Sequence, residues 1–220
     1  MNGVSYEVSM RDYSLKDMRF SQMDYIKGAI ILDWVILDGS ESKNDSISNI
    51  KNILTRMIKQ RGDSYYYFNL NDMNILPCRS CGACAYHTPG KCIVDDNMPD
   101  IIRAIASSSC IVLLTPIVFG GYSFQLKKAV DKFSLMAVPL FIVKEGHLLH
   151  PTRYGYKSII SIGTTEKNIK GETENFRLLL ERNALNMQCP YHKALIFNKS
   201  EENQEIEYEI LNMLKEVPKC

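Results

Sequence analysis

The 220-residue sequence lacks the features that would place it in a membrane or outside the cell. Its longest apolar run, residues 29–37, is interrupted by Asp33 and falls short of the roughly 18 residues that a membrane-spanning helix needs. The opening residues, MNGVSYEVSMRDYS, have no apolar core of the kind found in a secretory signal peptide. We therefore expect a cytoplasmic protein.

The sequence also lacks a charge excess and the common nucleotide-binding motifs. The formal net charge is only +1 and the basic residues form no dense block, which argues against a nucleic-acid-binding protein. Neither G-x-G-x-x-G nor G-x-x-x-x-G-K-[ST] occurs, so the sequence predicts no dinucleotide fingerprint and no P-loop. No internal repeat or linker divides the chain, whose length suits one domain.

Short apolar segments alternate with amphipathic ones along most of the chain. This alternation predicts an α/β domain with a parallel sheet and helices on both faces. The predicted strands are residues 29–37, 64–70, 110–117, 157–163 and 193–198. The predicted helices span 47–58, 98–105, 124–133, 176–187 and 206–217.

Two further segments lie outside the alternation. Residues 1–26 are polar and aromatic without a clear period, and we interpret them as an N-terminal arm before a single domain of residues 27–220. Residues 139–151 place two apolar arms around Glu145 and Gly146, which predicts an inserted β-hairpin. Because a monomer would cover these arms poorly, we expect a homodimer or homotetramer in which the hairpin or the N-terminal arm reaches across.

Four of the seven cysteines lie in one loop, residues 71–95, which we call the cysteine loop. Their spacing is C-x2-C-x2-C-x7-C, formed by Cys78, Cys81, Cys84 and Cys92. A [4Fe–4S] cluster needs four converging thiolates, and the tight triple followed by a fourth suits it. Zinc sites more often use two separated C-x-x-C pairs, and free or oxidised thiols are the third interpretation.

Ligands in an open parallel sheet bind beyond the carboxyl ends of the strands. The loops 38–46, 115–122 and 163–168 meet that criterion. The first is rich in serine and leads into a helix whose free N–H groups suit a phosphate, although the same residues are ordinary helix caps. In the second, Pro116 and two glycines would let the backbone approach a flat ligand or would simply form a turn.

These stretches together resemble the NADPH-dependent FMN reductase family, and within it the branch known as iron–sulfur flavoproteins. The likeness is carried by NILPCRSCGAC (74–84), GKCIVDDNM (90–98) and LLTPIVFGGYSFQLKKAVDKF (113–133), with the serine-rich loop 39–46 as a fourth element. Outside residues 75–133 the match is one of layout. The family usually has Ser-Pro-Arg where this chain has Ser40, Glu41 and Ser42, and a frequent Tyr is replaced by Val118.

The resemblance implies a flavodoxin-like, doubly wound five-stranded parallel sheet of order 2-1-3-4-5. It implies FMN with its phosphate in the serine-rich loop and its ring on residues 116–120, closed on the other side by the loop 163–165. It also implies NAD(P)H as cosubstrate. The implied FMN-binding residues are Ser40, Ser42, Lys43, Asn44, Ser46, Thr115, Pro116, Ile117, Val118, Phe119, Gly120, Gly163, Thr164 and Thr165, and the implied cluster ligands are Cys78, Cys81, Cys84 and Cys92.

Two functions follow from this resemblance. The first is an FMN-dependent oxidoreductase or electron-transfer flavoprotein that passes electrons to a small acceptor or protein partner, with a [4Fe–4S] cluster as a further carrier. Because the cofactors would carry the chemistry, the sequence predicts no catalytic side chain. The alternative is a flavodoxin-like redox or metal sensor without steady turnover, which the altered serine-rich loop keeps open.

Overall fold

The fold is described from a computed structural model, which covers residues 32–41, 45–167 and 169–218. The predicted N-terminal arm, residues 1–26, lies outside the described residues. So do three of the predicted FMN-binding residues, Ser42, Lys43 and Asn44.

Five parallel strands form the central sheet, and two further strands form a hairpin. In chain order the strands are β1 (Leu32–Asp38), β2 (Tyr65–Asn69), β3 (Ser108–Pro116), β4 (Ile142–Lys144), β5 (His147–Leu149), β6 (Ser158–Thr165) and β7 (His192–Asn198). The sheet order is β2-β1-β3-β6-β7, while β4 and β5 pair only with each other. With the hairpin set aside, this is the predicted order 2-1-3-4-5, and the flavodoxin-like fold is confirmed.

Helices cover both faces of the sheet. They are α1 (Asp45–Gln60), α2 (Ala83–Tyr86), α3 (Met98–Ala106), α4 (Phe124–Val130), α5 (Lys170–Asn186) and α6 (Asn203–Glu216), with 3-10 turns at Leu70–Asp72 and Asp131–Met136. On one face α1 and α6 bury residues such as Leu54 and Ile210, and on the other α3, α4 and α5 bury Ile101, Leu126 and Phe176.

The two cores explain why the central strands are apolar at successive positions. Side chains alternate between the two faces of a strand, so Val35 and Leu37 enter one core while Trp34 and Ile36 enter the other. A strand with only one covered face would alternate apolar and polar residues instead. The continuous apolar runs therefore predicted the covered parallel sheet correctly.

The fourth strand of the sheet is longer than predicted. Residues 163–165 were expected to form a loop, but they are the last residues of β6. Thr164 pairs with both Pro116 and Phe197, and Thr165 pairs with Asn198. The prediction of a loop was wrong because polar side chains suggested an exposed turn, whereas neighbouring strands on both sides extend the pairing.

The predicted hairpin is present between α4 and β6. Strands β4 and β5 pair around Glu145 and Gly146, whose φ angles are 53° and 78°. Two successive left-handed residues give the turn twist that suits a tight hairpin. Val143 and Leu148 on its arms are exposed, as is the preceding Phe141.

In the described part of the chain, no helix combines the length and apolarity needed to cross a bilayer.

Candidate functional site

The carboxyl ends of β1 and β3 are locked to the start of α4. Gly39, just after β1, donates its N–H to the carbonyl of Leu114 (2.9 Å). The Ser123 hydroxyl donates to the carbonyl of Gly39 (2.6 Å), and the Ser123 N–H donates to Thr115 Oγ1 (2.8 Å). The predicted site residue Thr115 is fully buried, and its hydroxyl holds the start of α4 against this edge.

Gly39 is required at this junction because there is no space for a side chain. A Cβ atom at this position would lie 2.6 Å from the Cβ of Leu126 and 2.7 Å from the Oγ of Ser123. The backbone that begins the serine-rich loop therefore packs directly on the first turn of α4.

Residues 117–121, which we call the β3–α4 turn, form the exposed part of the edge. The N–H of Ile117 bonds to the carbonyl of Thr164 (2.8 Å). Val118 and Gly121 exchange two backbone hydrogen bonds (3.0 and 2.9 Å). At the tip, Phe119 has a φ of 50° and is 93% exposed. A large apolar residue held in a left-handed conformation and facing solvent is unusual, and packing does not account for it.

Gly120 fixes this tip against α5. Its φ is 75°, and a Cβ there would lie 2.9 Å from the Cβ of Asn175 and 3.2 Å from the Cα of Glu172. Contact this close is possible only for glycine, so the orientation of the β3–α4 turn is set by its packing on the helix.

The predicted phosphate ligand Ser40 faces inward. It is buried, and both its N–H (2.8 Å) and its hydroxyl (2.5 Å) donate to Oδ1 of Asp38. The hydroxyl of Tyr67 donates to Oδ2 of the same carboxylate (2.7 Å). The Nδ2 group of Asn71 donates to the carbonyl of Ser40. Burial and the bond to Asp38 raise the pKa of Tyr67.

Sequence analysis did not identify Asp38, Tyr67 or Asn71 as part of this edge. The available signal was an acidic residue directly after a buried apolar run, at the end of the first strand. The predicted Ser46 lies in the first turn of α1 and is half-buried.

Residues 163–165 line the edge from within the sheet. The missing side chain of Gly163 leaves space for Cγ1 of Ile117 and Cζ of Phe176, which a Cβ would approach within 2.8 and 2.9 Å. Thr164 Oγ1 is buried without a hydrogen-bond partner among the described residues. Thr165 donates its hydroxyl to the carbonyl of Lys167 (2.6 Å). These residues support the β3–α4 turn and do not form a covering loop.

The four clustered cysteines, Cys78, Cys81, Cys84 and Cys92, are free thiols. Their thiols form no disulfide, and nowhere in the described residues do three or more potential ligand side chains come together as a metal site. Two sulfur atoms, those of Cys78 and Cys92, accept backbone N–H bonds from Ser80 and Val94 (both 3.4 Å). Donors of this kind stabilise cluster thiolates. The four thiols are suitable ligands for a cluster, but this structure does not bring them together as a metal site.

A buried ion pair anchors the cysteine loop to the rest of the molecule. The side chains of Asp96 and Lys132 are 0% and 1% exposed and bond to each other. Asp96 also accepts the N–H groups of Leu76 (2.9 Å) and Met98 (3.0 Å). Burial alone would raise its pKa, but these hydrogen bonds outweigh burial and hold the pKa of Asp96 below its usual range. The sequence did not predict this ion pair.

The sequence model of NADPH-dependent FMN reductases matches residues 32–200. The chain belongs to this family. The match runs from the first residue of β1 through β7, so it includes the serine-rich loop, the cysteine loop and the β3–α4 turn. The resemblance inferred from the motifs is confirmed.

Individual relatives agree with the family match. An iron–sulfur flavoprotein of Methanosarcina thermophila is 27% identical over 108 residues, which are 49% of this chain and 56% of that protein. The chain thus spans about half the length of this curated relative.

Two solved structures share the fold. An NAD(P)H:quinone oxidoreductase from Methanothermobacter marburgensis has a TM-score of 0.63 at 11% identity, over 84% of this chain and 95% of that one. An FMN-dependent NADH-azoreductase from Bacillus anthracis, solved in complex with FMN, has a TM-score of 0.56 at 12% identity, over 84% of this chain and 96% of that one. At 11% and 12% sequence identity, the likeness to these two structures shows a shared fold alone.

Proposed function

We propose that this protein binds FMN along the carboxyl edge of the sheet and acts as an oxidoreductase. It would take electrons from NAD(P)H and pass them to a small acceptor or a redox partner. The observation that carries the proposal is Phe119, which is left-handed, 93% exposed and held at the tip of a turn packed on α5.

The β3–α4 turn fits a flat aromatic ligand. Its reciprocal bonds between Val118 and Gly121 make it rigid, and the side chains of Val118 and Phe119 are exposed. These residues would hold the isoalloxazine ring and exclude water from one of its faces. FMN, when bound, supplies hydride acceptance and the onward transfer of electrons. The role of the chain is then to position the ring and to set the electrostatic field around it.

We also propose the cysteine loop as the site of a [4Fe–4S] cluster. Support comes from the four thiols at Cys78, Cys81, Cys84 and Cys92, from the N–H donors to two of them, and from the name of the Methanosarcina relative. Binding would require the loop to bring the sulfur atoms together. Within this loop, Ser80, Gly82 and Gly90 have left-handed backbone conformations.

A homodimer or homotetramer is the third part of the proposal. Exposed apolar side chains at Phe141, Val143 and Leu148 on and beside the hairpin support it, because contiguous apolar surface on a soluble chain commonly marks an interface.

The function is tested with anaerobically purified protein loaded with FMN. Rapid mixing with NADH or NADPH should remove the visible absorbance of oxidised flavin, and a quinone acceptor should then support steady turnover. Flavin binding without turnover would favour the sensor alternative. A protein that binds no FMN would refute the proposal.

The cluster is tested on the same preparation by iron and acid-labile sulfide assays. About four of each per chain, with a visible spectrum that bleaches on reduction, is the expected result for a [4Fe–4S] cluster. A yellow protein that contains zinc or no metal would leave the flavin site in place and remove the cluster.

A further inference from the structure

A cavity lies at the opposite end of the sheet from the proposed flavin site. It encloses about 340 Å³, within the range of roughly 300–1,000 Å³ that is common for small-molecule sites. On its wall, Lys157 directly precedes β6, while Asn183 and Asn186 lie in the last turn of α5. These positions place the cavity at the amino end of the sheet, away from the β3–α4 turn.

Most of the cavity wall is apolar. Phe133, Met136 and Leu149 contribute buried side chains to it, and Tyr154 and Met187 contribute half-buried ones. Aromatic rings and methionine sulfur atoms pack favourably against an aromatic ligand. Because an apolar cavity of roughly 150 Å³ takes up benzene, the volume found here can hold a molecule of two fused rings.

His150 supplies a hydrogen-bond acceptor in this wall. Its Nδ1 atom lies 2.8 Å from the carbonyl oxygen of Leu140 and 3.1 Å from that of Val138. A carbonyl oxygen can only accept, so Nδ1 carries the hydrogen and donates it. In the neutral ring Nε2 therefore has a lone pair, and among the described residues no donor is bonded to it. The ring of Phe141, with centroids 4.4 Å apart, packs on the imidazole and holds it in this orientation.

These groups favour a neutral ligand with a hydroxyl group. A carboxylate has no hydrogen to donate to Nε2, and it would lose its hydration against the apolar wall. An ammonium group would find no acidic side chain among the described residues of the wall. A hydroxyl group can donate to Nε2 while the ring that carries it stays in apolar surroundings.

We propose that this cavity binds a small, neutral aromatic molecule that carries a hydroxyl group, of the phenol or naphthol class. The ring packs against Phe133, Met136 and Met187, and the hydroxyl donates to Nε2 of His150. The inference goes beyond the proposed flavin function and does not depend on it, since none of the residues 117–121 lines the cavity.

The test measures dissociation constants of 2-naphthol, 2-methoxynaphthalene and 2-naphthoate for the full chain by equilibrium dialysis. The methoxy compound has a similar shape but no hydrogen to donate. The wild type should bind 2-naphthol about 5-fold more tightly than 2-methoxynaphthalene, as expected for one neutral hydrogen bond, and also more tightly than 2-naphthoate. The reverse order in either comparison would overturn the proposal.

His150→Asn separates the acceptor from the shape of the cavity. The asparagine amide can still donate to the carbonyls of Val138 and Leu140, but it leaves no acceptor in the place of Nε2. The affinity for 2-naphthol should fall by ~5-fold and that for 2-methoxynaphthalene by less than ~2-fold. His147→Asn makes the same change at an exposed position of the same hairpin, outside the cavity wall, and should alter neither affinity. Equal losses for both compounds in His150→Asn, or no loss, would refute the role of Nε2 and the ligand class with it.

Ala137→Phe tests the location. Ala137 is half-buried on the cavity wall, and a phenyl ring there would occupy the space of the ligand. In a variant whose urea denaturation remains cooperative, 2-naphthol and 2-methoxynaphthalene should each lose at least ~10-fold in affinity. Wild-type affinity in this folded variant would mean that the compounds bind elsewhere. If neither this variant nor His150→Asn folds, the order of the wild-type affinities decides alone.

FMN separates this inference from the proposed function. Excess FMN should leave the binding of 2-naphthol unchanged. If FMN displaces 2-naphthol, the compound occupies the flavin site, so this inference fails while the proposed function stands. A wild type that binds 2-naphthol but no FMN would refute the proposed function and leave this inference in place. A wild type that binds none of the three naphthalene compounds refutes this inference.

Discussion

At the scale of single residues, Asp96 and Lys132 form the interaction on which the cysteine loop depends most. Both side chains are buried, and Asp96 also accepts the N–H of Leu76 in the loop and that of Met98 at the start of α3. Replacing both charges with apolar groups could cost little, but removing one partner leaves a buried charge without compensation.

We therefore expect Lys132→Met to lower the free energy of unfolding by about 3–5 kcal/mol in urea denaturation at neutral pH. The control is Lys127→Met, which breaks the exposed pair with Asp131 and should cost less than about 1 kcal/mol. Similar losses in the two variants would contradict the conclusion that Lys132 neutralises a buried charge on Asp96.

At the scale of elements, the β3–α4 turn places a proposed flavin-binding residue next to a residue that packs on α5. Phe119 contributes little to the core because it is almost fully exposed, whereas Gly120 carries the packing on α5. The two neighbouring positions should therefore respond differently to substitution by alanine.

Phe119→Ala should weaken flavin binding by about 10-fold through loss of an aromatic contact, while the free energy of unfolding changes by less than ~0.5 kcal/mol. Gly120→Ala should instead lower stability by about 1–3 kcal/mol, since it combines a left-handed φ with a close backbone contact. Fluorescence titration and urea denaturation measure the two effects. Tyr208→Ala, an exposed aromatic on α6, should change neither. Unchanged flavin affinity in Phe119→Ala would remove the turn from the site.

At the scale of the whole molecule, the hairpin exposes apolar side chains on both of its strands. A two-stranded sheet is marginal without further contacts, yet Val143 and Leu148 leave their side chains largely exposed. Contact with a second copy would bury them. The cytoplasmic location, like this assembly, stays a prediction.

Sedimentation velocity should show the wild type as a dimer or tetramer, and Val143→Asp should shift it towards the monomer because a charge would be placed in the apolar contact. Tyr208→Asp introduces the same charge on an exposed aromatic of α6 and should leave the assembly intact. A monomeric wild type at all concentrations would rule out the proposed interface.

The local sequence pattern predicted the parallel sheet and the hairpin, while the strand order and the family came from the resemblance that the motifs carry. Strands such as β3 are apolar on both faces, and Glu145 and Gly146 suit a tight turn, so local pattern was sufficient. The motifs between residues 74 and 133 predicted that the β3–α4 turn lies at the edge of the proposed flavin site.

Only the tertiary structure decided which way the polar side chains point. Asp38 meets Tyr67 across 29 positions, and Asp96 meets Lys132 across 36, pairings that no local pattern encodes. Thr164 and Thr165 belong to a strand because β3 and β7 lie on either side of β6, and Ser40 faces inward because a carboxylate is there to receive it. The physical reason is that apolar burial follows from each residue's own chemistry, whereas the orientation of a hydrogen-bonding group depends on the partner that folding brings to it.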